Sequence, residues 1–244
     1  MSAAHQDRCP ACGEPMYGWI KVESRGRRFA ESYVVDRCEQ CGLGETRELT
    51  AQARTEGNGR PPIALVDLPR SSDPDATLES AASGLRPGES VEISAPNRDS
   101  LQAALGGDQW AALELPAQRL HLTPRSLDLL LERHGLESTR TRQPPFGRNQ
   151  LWMWQTLLNG FTFHTNFARE ALRRRLTPRT ARSLPAFAID ALVSALAALP
   201  IALVSVPLEL AAALARRGGE LVVTVAARQL QPPGAPLYDR SHGS

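Results

Sequence analysis

This chain contains a single lysine and lacks the signature sequences of several enzyme classes. Lys21 is the only lysine among 28 basic residues, and we attribute this bias to the base composition of a GC-rich genome, not to function. No H-E-x-x-H sequence and no G-x-x-x-x-G-K-S/T loop occurs. These absences argue against a metalloprotease of that type and against a phosphate-loop nucleotide hydrolase, because both chemistries depend on those residues at those spacings.

An export signal is also missing from the start of the sequence. Residues 1–8 are polar and no apolar stretch follows them, so we predict no signal peptide and expect a cytoplasmic protein. Disulfides are rare in that reducing compartment. The four cysteines form two C-x-x-C pairs, and in a cytoplasmic protein this pattern predicts metal ligation.

The predicted metal ligands are Cys9, Cys12, Cys38 and Cys41. Two residues between paired thiolates let both sulfurs face one ion, and four thiolates at tetrahedral corners favour a structural Zn²⁺ with no open position. The residues between the pairs predict a β-hairpin with its turn at 25–28. We therefore predict a zinc ribbon over residues 1–48, which needs zinc because so short a module cannot build a sufficient core. A redox pair or a chance spacing is the alternative.

Charge is separated along the chain, although the net charge is only +2. Residues 1–139 carry a net charge of −6, whereas residues 140–182 contain nine arginines and one acidic residue. The aromatic residues within this basic region are Trp152, Trp154, Phe161, Phe163 and Phe167. Basic residues interleaved with aromatics can bind nucleic acid or anionic lipid, or the aromatics can pack in a core beneath a solvated basic face.

Composition and periodicity divide the chain into further segments. Residues 49–62 are polar and contain several glycines and prolines, which predicts a linker. Residues 63–229 read as an α/β domain, and residues 230–244 as a disordered tail. We predict strands at 63–66, 91–95, 136–141 and 220–227, and helices at 73–84, 100–105, 123–134 and 150–175.

Residues 184–215 form the most apolar stretch, in which Asp190 and Glu209 are the only charges. The stretch is close to the length of a membrane span, but Pro200 and Pro207 predict two short helices. We therefore expect an apolar helical hairpin. It either packs as core or as an interface of a soluble protein or, because arginines flank both ends, dips into one leaflet at the inner face of an anionic membrane. A true transmembrane span is the remaining alternative.

Several short motifs follow one another in a recognisable order. Leu85-Arg86-Pro87-Gly88 leads to a strand that ends at Pro96-Asn97, then come Gly107-Asp108-Gln109-Trp110, a helix start at Leu120-His121-Leu122-Thr123-Pro124 and His134-Gly135-Leu136. This order resembles the C-terminal half of a class I S-adenosylmethionine-dependent methyltransferase, over residues 63–228. The resemblance implies a partial Rossmann-like sheet with helices, in which the strand at 220–227 is an edge or antiparallel strand.

The half of that family's domain that holds the cofactor has no counterpart in this chain. Gly42-Leu43-Gly44 belongs to the second cysteine pair. Pro69 and Arg70 stand where the family often has a Glu-His pair, and Arg119 replaces a histidine, with His121 interpreted as a surface residue. We therefore expect no useful S-adenosylmethionine binding by the isolated chain, and we assign no catalytic or cofactor-binding residue.

These observations favour a degenerate methyltransferase-like protein with a structural zinc ribbon, inactive alone and acting as a partner or scaffold. One alternative is an active methyltransferase for a small-molecule, glycan or lipid precursor, completed by a second chain. Another is a nucleic-acid-binding zinc-ribbon protein. A protein partner or a second copy is expected to cover the edge of the strand at Ile63, because exposed strand edges promote aggregation.

Overall fold

The computed structural model describes residues 8–23, 32–48, 65–71, 73–86, 88–115, 117–181 and 183–228. Within these residues the chain is a mixed α/β protein with two antiparallel sheets and a long apolar helix near its C-terminus. The predicted linker at 49–62 and the predicted tail at 230–244 lie outside the described residues.

The first sheet is built mainly by the predicted ribbon. Strands β1 (Met16–Glu23), β2 (Ser32–Cys38) and β3 (Gly44–Glu48) form an antiparallel meander. The pairing of β1 with β2 confirms the predicted hairpin, whose turn at 25–28 lies outside the described residues. The short, largely polar β3 was not predicted, because it lacks the apolar alternation of a strand.

The second sheet is assembled in the order β4-β7-β6. Its strands are β4 (Ser90–Pro96), β6 (Leu136–Arg142) and β7 (Glu220–Ala227), close to the predicted positions. Strand β7 is antiparallel to both neighbours, so the expected Rossmann-like sheet is not confirmed. The prediction that β7 is an edge or antiparallel strand holds in its second form, since β7 is antiparallel but central, with β4 on one side and β6 on the other.

The segment before the first α-helix corrects the predicted strand at 63–66. Leu65–Arg70 forms a 3-10 helix, and residues 63 and 64 lie outside the described part of the chain. Pro69 has no N–H for a strand ladder, and its carbonyl oxygen accepts a hydrogen bond from the Arg119 N–H. This 3-10 helix lies beside β4, which has β7 as its only strand neighbour among the described residues.

Short helices begin where capping residues predict them. The helices are α1 (Pro74–Gly84), α2 (Leu101–Gly106) and α3 (Pro124–Arg133), capped by the side chains of Asp73, Ser100 and Thr123. The two-residue strand β5 (Leu120–His121) precedes α3 and pairs with β3. Each cap accepts a hydrogen bond from a backbone N–H that has no helical partner, which fixes the start of the helix.

The helix predicted at 150–175 is two helices. They are α4 (Arg148–Asn159) and α5 (Phe167–Leu172). Asn166, immediately before α5, has φ of 59°, so the chain turns sharply there. This left-handed conformation is uncommon for a residue other than glycine, and no residue pattern predicted it.

The apolar segment forms one helix, α6 (Leu184–Leu214), so the predicted helical hairpin is wrong. Pro200 and Pro207 lie on the exposed side of α6. Helix α4 packs against the other side, where Trp154 Nε1 donates a 2.9 Å hydrogen bond to the Ala198 carbonyl oxygen. Each proline removes one helical hydrogen bond, to the carbonyl oxygen four residues before it, and the packing of α4 holds α6 together past both positions.

One buried apolar cluster joins the two sheets. It contains Cys38 and Leu43 of the first sheet, Ile93 of β4, and Leu122 and Leu127 at the start of α3. The ribbon therefore packs directly on the α/β part, and the two share a hydrophobic core. Loss of order in one part removes apolar contacts from the other.

Candidate functional site

The four cysteines predicted as ligands lie together beside the start of β1 and the end of β2. Their Sγ atoms are all within 4.8 Å of one another. Cys9 Sγ is 3.5 Å from Cys41 Sγ, and Cys12 Sγ is 3.4 Å from Cys38 Sγ. Sulfurs bound to a tetrahedral zinc at about 2.3 Å lie roughly 3.8 Å apart. The four cysteines are thus close enough together to hold a metal ion such as zinc.

Each of the two C-x-x-C pairs forms a backbone turn, and the two turns are of the same kind. The Gly13 N–H donates to the Cys9 carbonyl oxygen at 2.8 Å, and the Gly42 N–H donates to the Cys38 carbonyl oxygen at 2.9 Å. Both glycines have φ of +78°, a value that residues with a Cβ rarely adopt. The glycine after each pair therefore allows the turn that brings its two thiols to the same side.

Two of the four thiols, those of Cys9 and Cys41, lie in surroundings that favour their neutral form. Burial raises the pKa of the Cys41 thiol to about 11 and also raises the pKa of the Cys9 thiol. Thiolates, and not thiols, bind metal ions. An ion that binds here must displace protons from these sulfurs, so its affinity falls as the pH falls.

His121 connects β5 to the ribbon and is not the surface histidine that the sequence predicts. It is 2% exposed, and its Nε2 atom lies 2.8 Å from Thr46 Oγ1. Burial, with the positive charge of Arg98 as a smaller cause, lowers the pKa of His121 to about 3. The imidazole is therefore neutral near pH 7, and its position in the shared core makes it a structural residue.

A cleft of about 600 Å³ opens beside the end of β4, between α4 and the segment from α5 to residue 175. Its arginines are Arg70, Arg148, Arg169, Arg173 and Arg175. Its acidic residues are Glu114 and Glu170, so the charged lining carries a net charge of +3. Four of the five arginines come from the basic segment at 140–182, but nothing in the sequence indicated that Arg70 and Glu114 would join them.

The arginines of the cleft differ in their partners. Three are held by carboxylates of the chain, in the pairs Arg70–Glu114, Arg169–Glu114 and Arg148–Glu220. Arg173 and Arg175 form no ion pair with any residue in the described part of the chain. Their guanidinium groups are therefore available to a ligand.

The two charges of the apolar segment face the interior of the protein. Near the start of α6, His164 Nδ1 lies 2.6 Å from Asp190 Oδ2, and both side chains are at most 1% exposed. The N–H groups of Phe163 and His164 donate to the same carboxylate at 2.8 and 2.9 Å. These contacts attach the first turns of α6 to the loop between α4 and α5.

Glu209 attaches the second half of α6 to the protein. Its carboxylate accepts hydrogen bonds from Gln102 Nε2 at 2.6 Å, from Asn149 Nδ2 and from the Gly219 N–H at 3.2 Å. Burial raises the pKa of Glu209, although these donors oppose the shift. The sequence did not predict either cluster, but two lone charges in an apolar stretch were a signal, since a buried charge needs partners.

The side of α6 that faces away from the protein is apolar. Its large side chains that are at least 43% exposed are Leu184, Ile189, Leu192, Leu196, Leu199, Leu203, Val204, Val206, Leu210 and Leu214. The helix is long and apolar enough to cross a membrane, and only 11% of its most apolar window is buried.

The aromatic residues of segment 150–175 divide between core and surface. Trp152 and Phe167 are buried, with 6% and 4% of their surface exposed. Phe161 and Phe163 are 67% and 57% exposed, in the loop attached to the start of α6. The buried pair is not available to stack on nucleic-acid bases, whereas the exposed pair extends the apolar surface of the molecule.

Comparisons of this chain with protein-family models, with curated proteins and with solved structures found no match. The described residues define a mixed α/β protein with a four-cysteine cluster that could hold a metal ion and one exposed apolar helix.

Proposed function

We propose that this chain is a degenerate methyltransferase-like protein that is inactive alone and acts as a partner or scaffold on the inner face of a membrane. The observation that carries the membrane part is the orientation of α6. An amphipathic helix of a soluble protein buries its apolar side. In α6 the five buried residues include Asp190, Ser205 and Glu209, and most of the leucines are exposed. A large exposed apolar patch marks a surface that another apolar phase covers.

Charge favours a lipid bilayer as that phase. Arg179 lies shortly before α6, and Arg216 and Arg217 follow it, all three exposed. Arginines at both ends of an apolar helix can meet anionic headgroups while the helix side chains enter the acyl region. A second copy of the chain offers the same positive charge at these ends and is disfavoured by like-charge repulsion.

Packing favours a helix that lies in the membrane surface and does not cross it. A helix of 31 residues is about 46 Å long, more than enough for a span. However, α4 packs against α6 and carries Arg148 and the buried Asn149. A spanning α6 would take these polar groups into hydrocarbon, which is costly.

Vesicle co-sedimentation at low salt tests the membrane proposal. We expect the full chain to bind vesicles that contain phosphatidylglycerol, and we expect Leu196→Glu to weaken binding about tenfold or more, because a carboxylate must leave water. Leu105→Glu is the matched control, since Leu105 is 54% exposed but belongs to α2 and not to α6. Wild-type protein that stays in the supernatant, or equal loss in both variants, would contradict the proposal.

We infer that the ion at the four-cysteine cluster is a structural Zn²⁺. Four thiolates leave no open coordination position for a substrate, and the cluster belongs to the shared core. Protein purified without chelator should contain one zinc per chain, and Cys38→Ser should lose both the metal and the order of the ribbon. Metal analysis that finds no zinc in the wild-type protein would overturn this inference.

The absence of independent methyl transfer is supported by the place of the glycine-rich motif. The Gly42 N–H is bonded within the cysteine turn, so Gly42-Leu43-Gly44 serves the metal centre and not a cofactor loop. Titration calorimetry with S-adenosylmethionine tests this point. We expect no binding, whereas a dissociation constant near micromolar, equivalent to about −8 kcal/mol, would show that the chain contains a cofactor site.

A second candidate function is an active methyltransferase that a second chain completes. The observation in its favour is that β4 has no strand partner on its outer side among the described residues. A partner sheet added there could supply the missing cofactor half. Methyl-transfer activity that appears only when such a partner is mixed with this chain would favour this function over the scaffold.

A further inference from the structure

We propose that the arginine-lined cleft binds a ligand that carries a phosphomonoester or pyrophosphate group. Five arginines and two glutamates line the cleft, so an anion with more than one negative charge is the ligand that balances it. Guanidinium groups bind phosphate oxygens through two parallel hydrogen bonds, which gives geometry as well as charge. The inference does not depend on membrane binding by α6.

The internal ion pairs leave two arginines for the ligand. Glu114 neutralises part of the charge of Arg70 and Arg169, at 3.1 and 2.8 Å. Arg173 and Arg175, which also line the cleft, have no carboxylate partner in the described part of the chain. A phosphate in the cleft that contacts both side chains would gain two unshared guanidinium groups without breaking an existing pair.

A buried amide supplies a second, independent indication of a ligand. Gln118 lines the cleft, is 4% exposed, and its Oε1 atom has no hydrogen-bond partner. A buried polar atom without a partner destabilises the protein, and the amide can present either its oxygen or its nitrogen after a rotation. A ligand in the cleft could pair with this amide and remove that cost.

The size of the cleft indicates that the phosphate belongs to a larger molecule. At about 600 Å³ the cleft has the volume of a small-molecule site, much larger than one phosphate group. Pro96, Leu115 and Trp152 give part of the wall an apolar character suited to an organic group. The source is either a soluble phosphorylated metabolite or a lipid phosphate, because α5 also contacts α6 through Phe167 and Phe187.

The turn after α5 fixes the two free arginines and offers a matched control. The Arg174 N–H donates to the Ala171 carbonyl oxygen and the Arg175 N–H to that of Glu170, both at 2.9 Å. Arg174 has φ of 56°, a conformation that suits glycine at this position after a helix. Arg174 does not line the cleft. Arg174→Gly therefore removes one positive charge from the same turn and keeps its backbone.

Calorimetric titration of the full chain with pyrophosphate tests the proposal. We expect binding by the wild-type protein, at least about tenfold weaker binding by Arg175→Ala because a charge-assisted hydrogen bond is lost, and near wild-type binding by Arg174→Gly. Circular dichroism of both variants checks that they are folded. No wild-type binding of pyrophosphate or of a lipid phosphomonoester, or equal weakening in both variants, would overturn the proposal.

Vesicles separate the two sources of phosphate. Phosphatidic acid presents a phosphomonoester, whereas phosphatidylglycerol presents a phosphodiester. If vesicles with phosphatidic acid bind better than phosphatidylglycerol vesicles of equal surface charge, and only Arg175→Ala removes this preference, the ligand is a lipid phosphate. If pyrophosphate binds in solution and the protein does not prefer phosphatidic acid vesicles, the ligand is a soluble phosphate compound. Either result supports the phosphate site.

Discussion

The hydroxyl group of Thr123 donates a 2.8 Å hydrogen bond to the carbonyl oxygen of Cys41 and also caps α3. The same Oγ1 atom accepts the Ser126 N–H at 3.1 Å. One side chain thus joins the turn at the second cysteine pair to the first turn of α3 in the α/β part. The order of the cysteine cluster and the order of α3 are therefore linked through a buried contact.

Thr123→Val should destabilise the protein by about 2 kcal/mol. The substitution keeps the shape of the side chain but removes the cap of α3 and the bond to Cys41, and each loss leaves a buried backbone group without its partner. Chemical denaturation measures the change. Thr123→Ser is the control, because serine keeps the hydroxyl group, and a valine variant as stable as the serine variant would contradict the linkage.

Gly42→Ala should destabilise the protein more than Gly13→Ala. Both glycines have φ of +78°, so an added Cβ costs about 1 kcal/mol at either position. At Gly42 the new Cβ would also lie 3.0 Å from Thr123 Cγ2, whereas at Gly13 nothing lies within 4 Å. Thermal unfolding of the two zinc-loaded variants compares them, and equal shifts would mean that the contact with Thr123 yields without cost.

Local chemistry made part of this structure predictable. The helices predicted at 73–84 and 123–134 do begin after Asp73 and Thr123, whose side chains cap them, because a capping side chain needs only its own helix. The cysteine spacing likewise predicted the cluster, since two residues between thiols suit one ion whatever the rest of the chain does. In both cases the pattern that allowed the prediction spans only a few residues, namely a cap with its first helical turn or the two cysteines of one pair.

Other features depend on contacts between distant segments and could not be predicted. The position of β7 between β4 and β6 depends on which strands meet, which alternation alone does not reveal. Pro200 indicated a break in the apolar segment, but Trp154 of α4 contacts the helix there. The arginine cleft likewise unites Arg70 with Arg175, more than a hundred positions apart.

Acid should destabilise the protein through His121. Burial lowers the pKa of this histidine to about 3, whereas in the unfolded chain its pKa is about 6.5. Between these values the unfolded chain binds a proton that the folded protein does not. The free energy of unfolding therefore falls as the pH falls below about 6.5, by up to roughly 1.4 kcal/mol per pH unit.

Denaturant unfolding of the wild-type protein and of His121→Gln measures this contribution. The pH range from about 7 to about 5 is suitable because it brackets the pKa of histidine in the unfolded chain. The glutamine variant should show a shallower pH dependence, because it has no imidazole to protonate. Parallel slopes for His121→Gln and the wild-type protein would show that His121 does not set the acid sensitivity.

Glu209→Leu should destabilise the protein by about 3 kcal/mol. This is expected even though the substitution makes α6 more apolar, since Asp190 and Glu209 are its only charged residues. Gln102, Asn149 and the Gly219 N–H all donate to this carboxylate, and leucine would leave these buried donors without an acceptor. Leu210→Ala is the control, since Leu210 is 43% exposed on the adjacent position of α6. Its effect should stay within about 0.5 kcal/mol. The opposite ranking in denaturant unfolding would mean that α6 packs through its apolar side, and the proposed membrane-facing surface would then be part of the core.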